Sequence, residues 1–151
     1  MIRDEIKAAQ VSAMKSGDKA RLAAIRLILS AVKNRDIELR TAGKAPDDDA
    51  LVVEVLQILV KQRRESIAMY TAGGRAELAA AEQAEVAVIE SFLPAQMDEA
   101  QTNAAIDALV KELGAGSAKD MGRVMAALKE RHASQLDMSK ASGLVKAALA
   151  G

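Results

Sequence analysis

The chain has 151 residues with 21 basic and 21 acidic side chains, so its formal net charge is zero and no global field draws it towards a nucleic acid or a membrane. It has no cysteine, which excludes disulfides, thiolate nucleophiles and cysteine zinc sites. The N-terminal residues lack the apolar segment of a signal peptide, and the apolar run at 51–60 is too short to span a membrane. These features predict a soluble cytoplasmic protein.

The first half of the chain carries apolar residues at spacings of three and four, a pattern that predicts amphipathic helices and no strands. We expect the first helix at 2–15 and the second from Asp18, its predicted cap, to about Ala42. The third helix is predicted at 48–72, after Pro46 and three aspartates that favour a helix N-terminus.

A fourth predicted helix runs from residue 75 to 93, where Pro94 ends it. Four helices joined by short turns are typical of an antiparallel bundle, which we predict for residues 1–93. The segment "LPAQMD" at 93–98 then marks the boundary of a second domain, 94–151.

The second domain is predicted to contain three shorter helices at 98–113, 119–132 and 138–150. Two of them begin with patterns that resemble a capping box, Asp98 with Gln101 and Ser117 with Asp120. The chain is therefore expected to be all-α, with a four-helix bundle followed by a small three-helix subdomain.

Gly122 lies inside the sixth predicted helix, where glycine costs about 1 kcal/mol relative to alanine. Two explanations are open: close packing against the fifth or seventh helix, or a docking surface that needs bare backbone. The glycines and serine at 114–117 leave free N–H groups at the start of this helix, which suits a phosphate, although Gly114 and Ser117 also suit ordinary caps.

Basic side chains outnumber acidic ones by six to three after Gly114. This local excess is either a solvated helix surface or a site for a polyanion. The six cations are Lys119, Arg123, Lys129, Arg131, Lys140 and Lys146.

Arg63 falls within the apolar stripe of the third predicted helix. A buried guanidinium needs partners, so we expect a structural ion pair with Glu85 or Glu90 on the fourth helix. The alternative is a phosphate or carboxylate ligand held by Arg63 and Arg64.

Catalytic patterns are absent from the sequence. His132 is the only histidine and has no cysteine to share a zinc ion. The aspartates at 47–49 lack the ligand spacing of a calcium loop. We therefore predict no catalytic residue, no metal, no cofactor and no independent enzymatic activity.

Four segments in order resemble the GatB/YqeY family of small bacterial proteins. They are "AMKSGDKARLAAIRLILSAVKNRDIE" (13–38), "KQRRESIAMY" (61–70), "EVAVIESFLP" (85–94) and the stretch from "KDMGRVMAALKERH" to "SKASGLVKAAL" (119–149). The resemblance implies a two-part all-helical protein. It also implies kinship with the C-terminal tail domain of the B subunit of the glutamine-dependent tRNA amidotransferase, which contacts tRNA and performs no chemistry.

The resemblance gives the basic residues a function. The G-x-V-M motif of that tail is similar to residues 122–125, so the six cations become candidate phosphate contacts and Gly122 permits close approach. The implied function is a non-catalytic tRNA-binding accessory module whose partner is tRNA or a tRNA-handling protein, without a membrane.

Two alternatives stay open beside the tRNA module. One is a protein-interaction adaptor that uses Met121, Met125 and Met138 as apolar contacts around Gly122. The other is the label that family members carry by descent, carbon-nitrogen ligase with glutamine as amide donor. The chain contains neither the kinase-like core nor the amidase subunit that this chemistry uses.

Overall fold

A computed structural model describes residues 1–150, which form seven α-helices, two short 3₁₀ helices and no strand. The all-α prediction is therefore confirmed. The helices are α1 (Ile2–Ser16), α2 (Lys19–Thr41), α3 (Asp48–Ala72), α4 (Ala76–Glu90), α5 (Glu99–Leu113), α6 (Met121–His132) and α7 (Met138–Ala150), with 3₁₀ turns at Ala118–Asp120 and Ala133–Gln135. None of these helices has the length and apolar character that a membrane crossing requires.

The chain divides into two compact units, Met1–Leu93 and Pro94–Gly151. Each has its own apolar core, as expected when every amphipathic helix must bury one face. The N-terminal core includes Ile6, Ile25, Ile28, Leu56 and Ile89. The C-terminal core includes Ile106, Leu109, Val124, Leu128 and Val145.

Consecutive helices of the N-terminal unit run in opposite directions. Arg3, at the start of α1, forms an ion pair with Asp36, near the end of α2, at 2.9 Å. Arg35 of α2 reaches Glu54 of α3 at 3.3 Å across the next turn. Both pairs join residues at similar distances from the intervening turn, which is the arrangement of an antiparallel hairpin.

Several predicted helix caps are confirmed. The Asp18 carboxylate accepts a hydrogen bond from the Arg21 N–H at 3.1 Å. At the start of α5, Asp98 and Gln101 each accept from the other's backbone N–H, which completes the capping box. These side chains satisfy donors that the first helical turn leaves unpaired.

Two helix ends differ from the sequence prediction. Helix α4 ends at Glu90 rather than at residue 93, and a turn follows in which the Ser91 hydroxyl donates to the Val88 carbonyl at 2.6 Å. The α region is disfavoured directly before Pro94, so the helix stops earlier. Helix α6 begins at Met121, because the predicted start is a 3₁₀ turn.

Candidate nucleic-acid interface

The solvent-facing sides of α6 and α7 carry the predicted site. Helix α6 buries Val124 and Leu128, whereas Gly122, Ala126 and Lys129 are exposed on its opposite side. These exposed positions follow one another at spacings of four and three, so they form one row on the helix surface. The row presents a lysine beside small residues.

Helix α7 repeats this arrangement. It buries Ala141, Val145 and Leu149, and its exposed side carries Gly143 with Lys140 and Lys146 on either flank. Helix α7 contacts α6 and also the 3₁₀ turn Ala118–Asp120 that carries Lys119. The lysines of both elements therefore belong to one small unit.

All six predicted cations are exposed, but they differ in pairing. Within residues 1–150, four of them have no carboxylate within 4.0 Å of the side-chain nitrogen. These four, which we call the unpaired lysines, are Lys119, Lys129, Lys140 and Lys146. No direct ion pair within residues 1–150 offsets their charge.

Arg123 is tied to its own helix start. Its Nη2 donates to Asp120 Oδ1 at 2.8 Å, and its Nη1 donates to the Leu113 carbonyl at 3.3 Å. Hydrogen bonds from the Gly116 N–H and then from Arg123 lower the pKa of Asp120. The Asp120 carboxylate thus stays ionised and offsets the charge of Arg123.

Arg131 forms a two-pronged ion pair with Glu112 of α5, at 2.7 and 2.6 Å. These hydrogen bonds lower the pKa of Glu112 and raise the pKa of Arg131. The pair links α6 to α5 and leaves little net charge at this position.

The glycine-rich segment before α6 is already occupied by an anion of the chain. The N–H groups of Gly116 and Ser117 both donate to Asp120 Oδ2, at 3.0 and 3.3 Å. Gly114 adopts the left-handed conformation of a helix C-cap, with φ of 63°. A phosphate at this helix start would have to displace the Asp120 carboxylate.

The prediction that Gly122 packs closely against α5 or α7 is wrong. Apart from its chain neighbours and its own helix backbone, a Cβ placed on Gly122 would meet no atom of residues 1–150 within 4 Å, and the same holds for Gly143. Nothing inside the described fold therefore requires a glycine at residue 122. The second explanation, a docking surface with bare backbone, stays a prediction.

The three methionines proposed as adaptor contacts do not form an exposed surface around Gly122. Met121, Met125 and Met138 are half-buried and pack against the C-terminal core. They fill gaps between helices, a role that suits their flexible side chains.

The Arg63 side chain is only 12% exposed, and its Nε donates to Glu85 at 2.9 Å. Its Nη1 also donates to the Leu59 carbonyl at 3.3 Å. Arg64 pairs with Glu90. Both guanidinium groups thus have carboxylate partners on α4, an arrangement that gives the alternative of a bound phosphate no support.

Two features of the site escaped sequence reasoning. Asp120 was assigned only a capping role, whereas it also pairs with Arg123 three residues along the helix. Carboxylates at spacings of three or four from an arginine signal such pairing. Gly143 was not singled out, although it occupies on α7 the position that Gly122 occupies on α6.

The histidine and the aspartates considered as catalytic or metal-binding residues do not come together in one site. His132 is half-buried, and its Nδ1 lies 3.1 Å from Gln135 Oε1. Among residues 1–150, no group of three His, Cys, Asp or Glu side chains is placed to hold a metal ion. The aspartates at 47–49 instead serve the start of α3, where Asp47 accepts from the Ala50 N–H and Asp48 pairs with Arg3.

Comparison with known proteins finds a family that matches almost the whole chain. A family model described as "Yqey-like protein" matches residues 3–149. Altered inheritance of mitochondria protein 41, a mitochondrial protein of Saccharomyces cerevisiae, is 37% identical over 81 residues, which cover 54% of this chain and 42% of the yeast protein.

Proteins of the same name occur in two other yeasts. The one from Eremothecium gossypii is 34% identical over 83 residues, or 55% of this chain and 44% of the relative. The one from Lachancea thermotolerans is 33% identical over 104 residues, or 67% and 54%. The matched stretch thus spans about half the length of these curated relatives.

Proposed function

Because this chain belongs to the Yqey-like protein family, we propose that it is a non-catalytic accessory module whose C-terminal unit contacts tRNA. The observation that carries the proposal is the exposed backbone at Gly122, which no neighbouring element among the described residues covers and which lies on the same helix side as Lys129. A glycine that internal packing does not require is expected where another molecule approaches the backbone.

The chemistry of the surface suits phosphate contacts rather than base recognition. The unpaired lysines supply positive charge, and a phosphate contact requires only a cation at a suitable position. The C-terminal unit has no Phe, Tyr or Trp on which a base could stack. The module therefore reads the shape of a folded RNA.

Ion pairs within the chain limit the number of cations that can contact phosphates. Arg123 and Arg131 hold Asp120 and Glu112, so we assign them to the support of α6 and leave the phosphate contacts to the lysines. With at most four contacts, binding is expected to be modest and strongly dependent on salt.

The direct test is an anisotropy titration of labelled bulk tRNA with the full chain at about 50 and about 200 mM salt. The double variant Lys119→Gln/Lys129→Gln removes two proposed contacts. The slope of log affinity against log salt should fall in magnitude by roughly 1.4 to 1.8, because each phosphate contact contributes roughly 0.7 to 0.9.

A matched control removes the same charge elsewhere. Lys61→Gln/Arg75→Gln replaces an exposed lysine and an exposed arginine of residues 45–93 and should keep the slope of the parent chain. Equal losses in both doubles would show that only net charge matters. Retention of the full slope in Lys119→Gln/Lys129→Gln would contradict the proposed C-terminal surface.

A further inference from the structure

The N-terminal unit is neutral as a whole but divided in charge. Residues 1–44, which contain α1 and α2, hold ten basic and five acidic side chains. Residues 45–93, which contain α3 and α4, hold four basic and nine acidic ones. The excess of five positive charges on the first hairpin is larger than the excess of three that follows Gly114.

Four cations of α2 are spaced seven residues apart. Seven residues rise about 10.5 Å along a helix and turn back by only about 20°, so the four lie in one row along the helix. The row, which we call the α2 cation row, consists of Lys19, Arg26, Lys33 and Arg40, and all four are exposed.

The α2 cation row has no ion-pair partner among the described residues. The two carboxylates of α2 are held by other arginines: Asp36 by Arg3 at 2.9 and 3.0 Å, and Glu38 by Arg35 at 3.0 Å. This differs from α6, whose candidate arginines Arg123 and Arg131 are themselves paired, with Asp120 and Glu112.

The surface next to the row carries polar side chains, and the nearby Asp36 carboxylate is held by Arg3. Ser30 and Asn34 are exposed beside it, and such side chains commonly bind phosphate and sugar oxygens in nucleic-acid complexes. Only two large apolar side chains of α2 are exposed, Leu27 at 43% and Ile37 at 50%. They are ten residues apart and do not form the continuous apolar stripe with which a helix enters a membrane surface.

We propose that the α2 cation row is a second polyanion site, which binds the phosphate backbone of a structured RNA independently of the C-terminal unit. Four unpaired cations extend over about 32 Å of helix, a length that suits a backbone with a phosphate at each nucleotide better than a compact anion. The neighbouring serine and asparagine favour RNA over an anionic lipid surface, because they offer hydrogen bonds and little apolar area.

The test uses the full chain and the double variant Arg26→Gln/Lys33→Gln. Arg40 is left in place, because it helps to lower the pKa of Asp36. The control double, Lys61→Gln/Arg75→Gln, changes one arginine and one lysine that are equally exposed on the acidic hairpin. Glutamine has nearly the helix propensity of lysine and arginine, so both variants should fold, and circular dichroism checks this.

In titrations of labelled bulk tRNA, we expect Arg26→Gln/Lys33→Gln to weaken binding about tenfold at low salt. The salt slope should fall in magnitude by roughly 1.4 to 1.8, while the control double keeps the parent slope. Unchanged affinity in Arg26→Gln/Lys33→Gln, or an equal loss in the control, would overturn the second site.

The same assay separates the two proposals. If only Arg26→Gln/Lys33→Gln weakens binding, the α2 site stands and the C-terminal surface fails. If only Lys119→Gln/Lys129→Gln weakens it, the reverse holds. The parent chain could instead show no binding to tRNA at low salt and bind vesicles rich in phosphatidylserine, with a loss of vesicle binding in Arg26→Gln/Lys33→Gln. That result would overturn the RNA assignment in favour of a lipid surface.

Discussion

The two units of this chain organise an equal number of opposite charges in different ways. In the N-terminal unit, Arg3, Arg35, Arg63 and Arg64 connect neighbouring helices through ion pairs, and the α2 cation row is left without partners. In the C-terminal unit, both candidate arginines are paired, whereas the four candidate lysines are not. A count of cations along the sequence therefore identifies a basic segment but overestimates the charge that a ligand meets.

Removing a buried side chain from one core should give the largest difference in stability between the two units. Leu56 and Leu128 are both fully buried, each in a different core. We expect Leu56→Ala to destabilise the N-terminal unit, and Leu128→Ala the C-terminal unit, by about 2 to 5 kcal/mol. Urea unfolding followed by residue-resolved NMR measures both. Equal loss of signals from both units in either variant would show a single cooperative fold.

The Arg3 network should contribute more than the exposed Arg131 pair. Arg3 binds both Asp36 and Asp48, and the three side chains are only 23 to 31% exposed. Arg3→Gln leaves two carboxylates without their cation, and we expect a loss of about 1 to 2 kcal/mol in the free energy of unfolding. Arg131→Gln should leave the urea midpoint nearly unchanged, because water screens that pair. A larger effect of Arg131→Gln would contradict this order.

Low pH should reduce the stability of the N-terminal unit through the ion pairs of Arg3. The hydrogen bonds from Arg3 lower the pKa of Asp36 in the folded chain. Its contribution is therefore complete above the unfolded value of about 3.9 and is lost as pH falls through the lower folded value. Asp36→Asn should be less stable at neutral pH and should lose less stability between about pH 4 and pH 2 than the parent. An unchanged acid slope would rule out this contribution.

Most of the fold could be predicted from the sequence, because helical periodicity and caps are local signals. Asp18, Asp98 and the glycines at 17 and 114 mark helix ends through chemistry that involves a few neighbouring residues. The early end of α4 and the 3₁₀ turn before α6 were missed, since both depend on turns that compete with the helix.

The candidate site was less predictable, because pairing depends on which helices meet. The Arg131–Glu112 pair joins residues 19 apart in the chain, so periodicity within one helix does not reveal it. The packing explanation of Gly122 was wrong for the same reason, since the space around a residue is a property of the packed unit. The Arg63 partner could be narrowed to two glutamates only because both lie on the next helix.

Release of Arg123 from its partner should increase tRNA affinity. Asp120→Asn removes the carboxylate that holds Arg123 and that accepts from the Gly116 and Ser117 N–H groups. The added positive charge and the freed arginine should raise affinity a few-fold at low salt. Asp107→Asn makes the same charge change at an exposed position of α5 and serves as the control. Equal gains in both variants would show a general charge effect without a role for Arg123.

Gly122→Ala should have the smallest effect on the protein itself and gives the sharpest test of the bare backbone. The new methyl group meets no other described element within 4 Å, so the helix should gain a few tenths of a kcal/mol from the higher propensity of alanine. Gly143→Ala makes the same change on the exposed side of α7 between Lys140 and Lys146, and its effect on affinity shows whether tRNA approaches that helix as well. If tRNA approaches the α6 backbone, Gly122→Ala should become slightly more stable and yet bind tRNA several-fold more weakly. Thermal unfolding and the tRNA titration measure the two effects.

A Gly122→Ala variant with parent affinity would show that the glycine has no role in docking, and the unpaired lysines alone would then define the C-terminal surface.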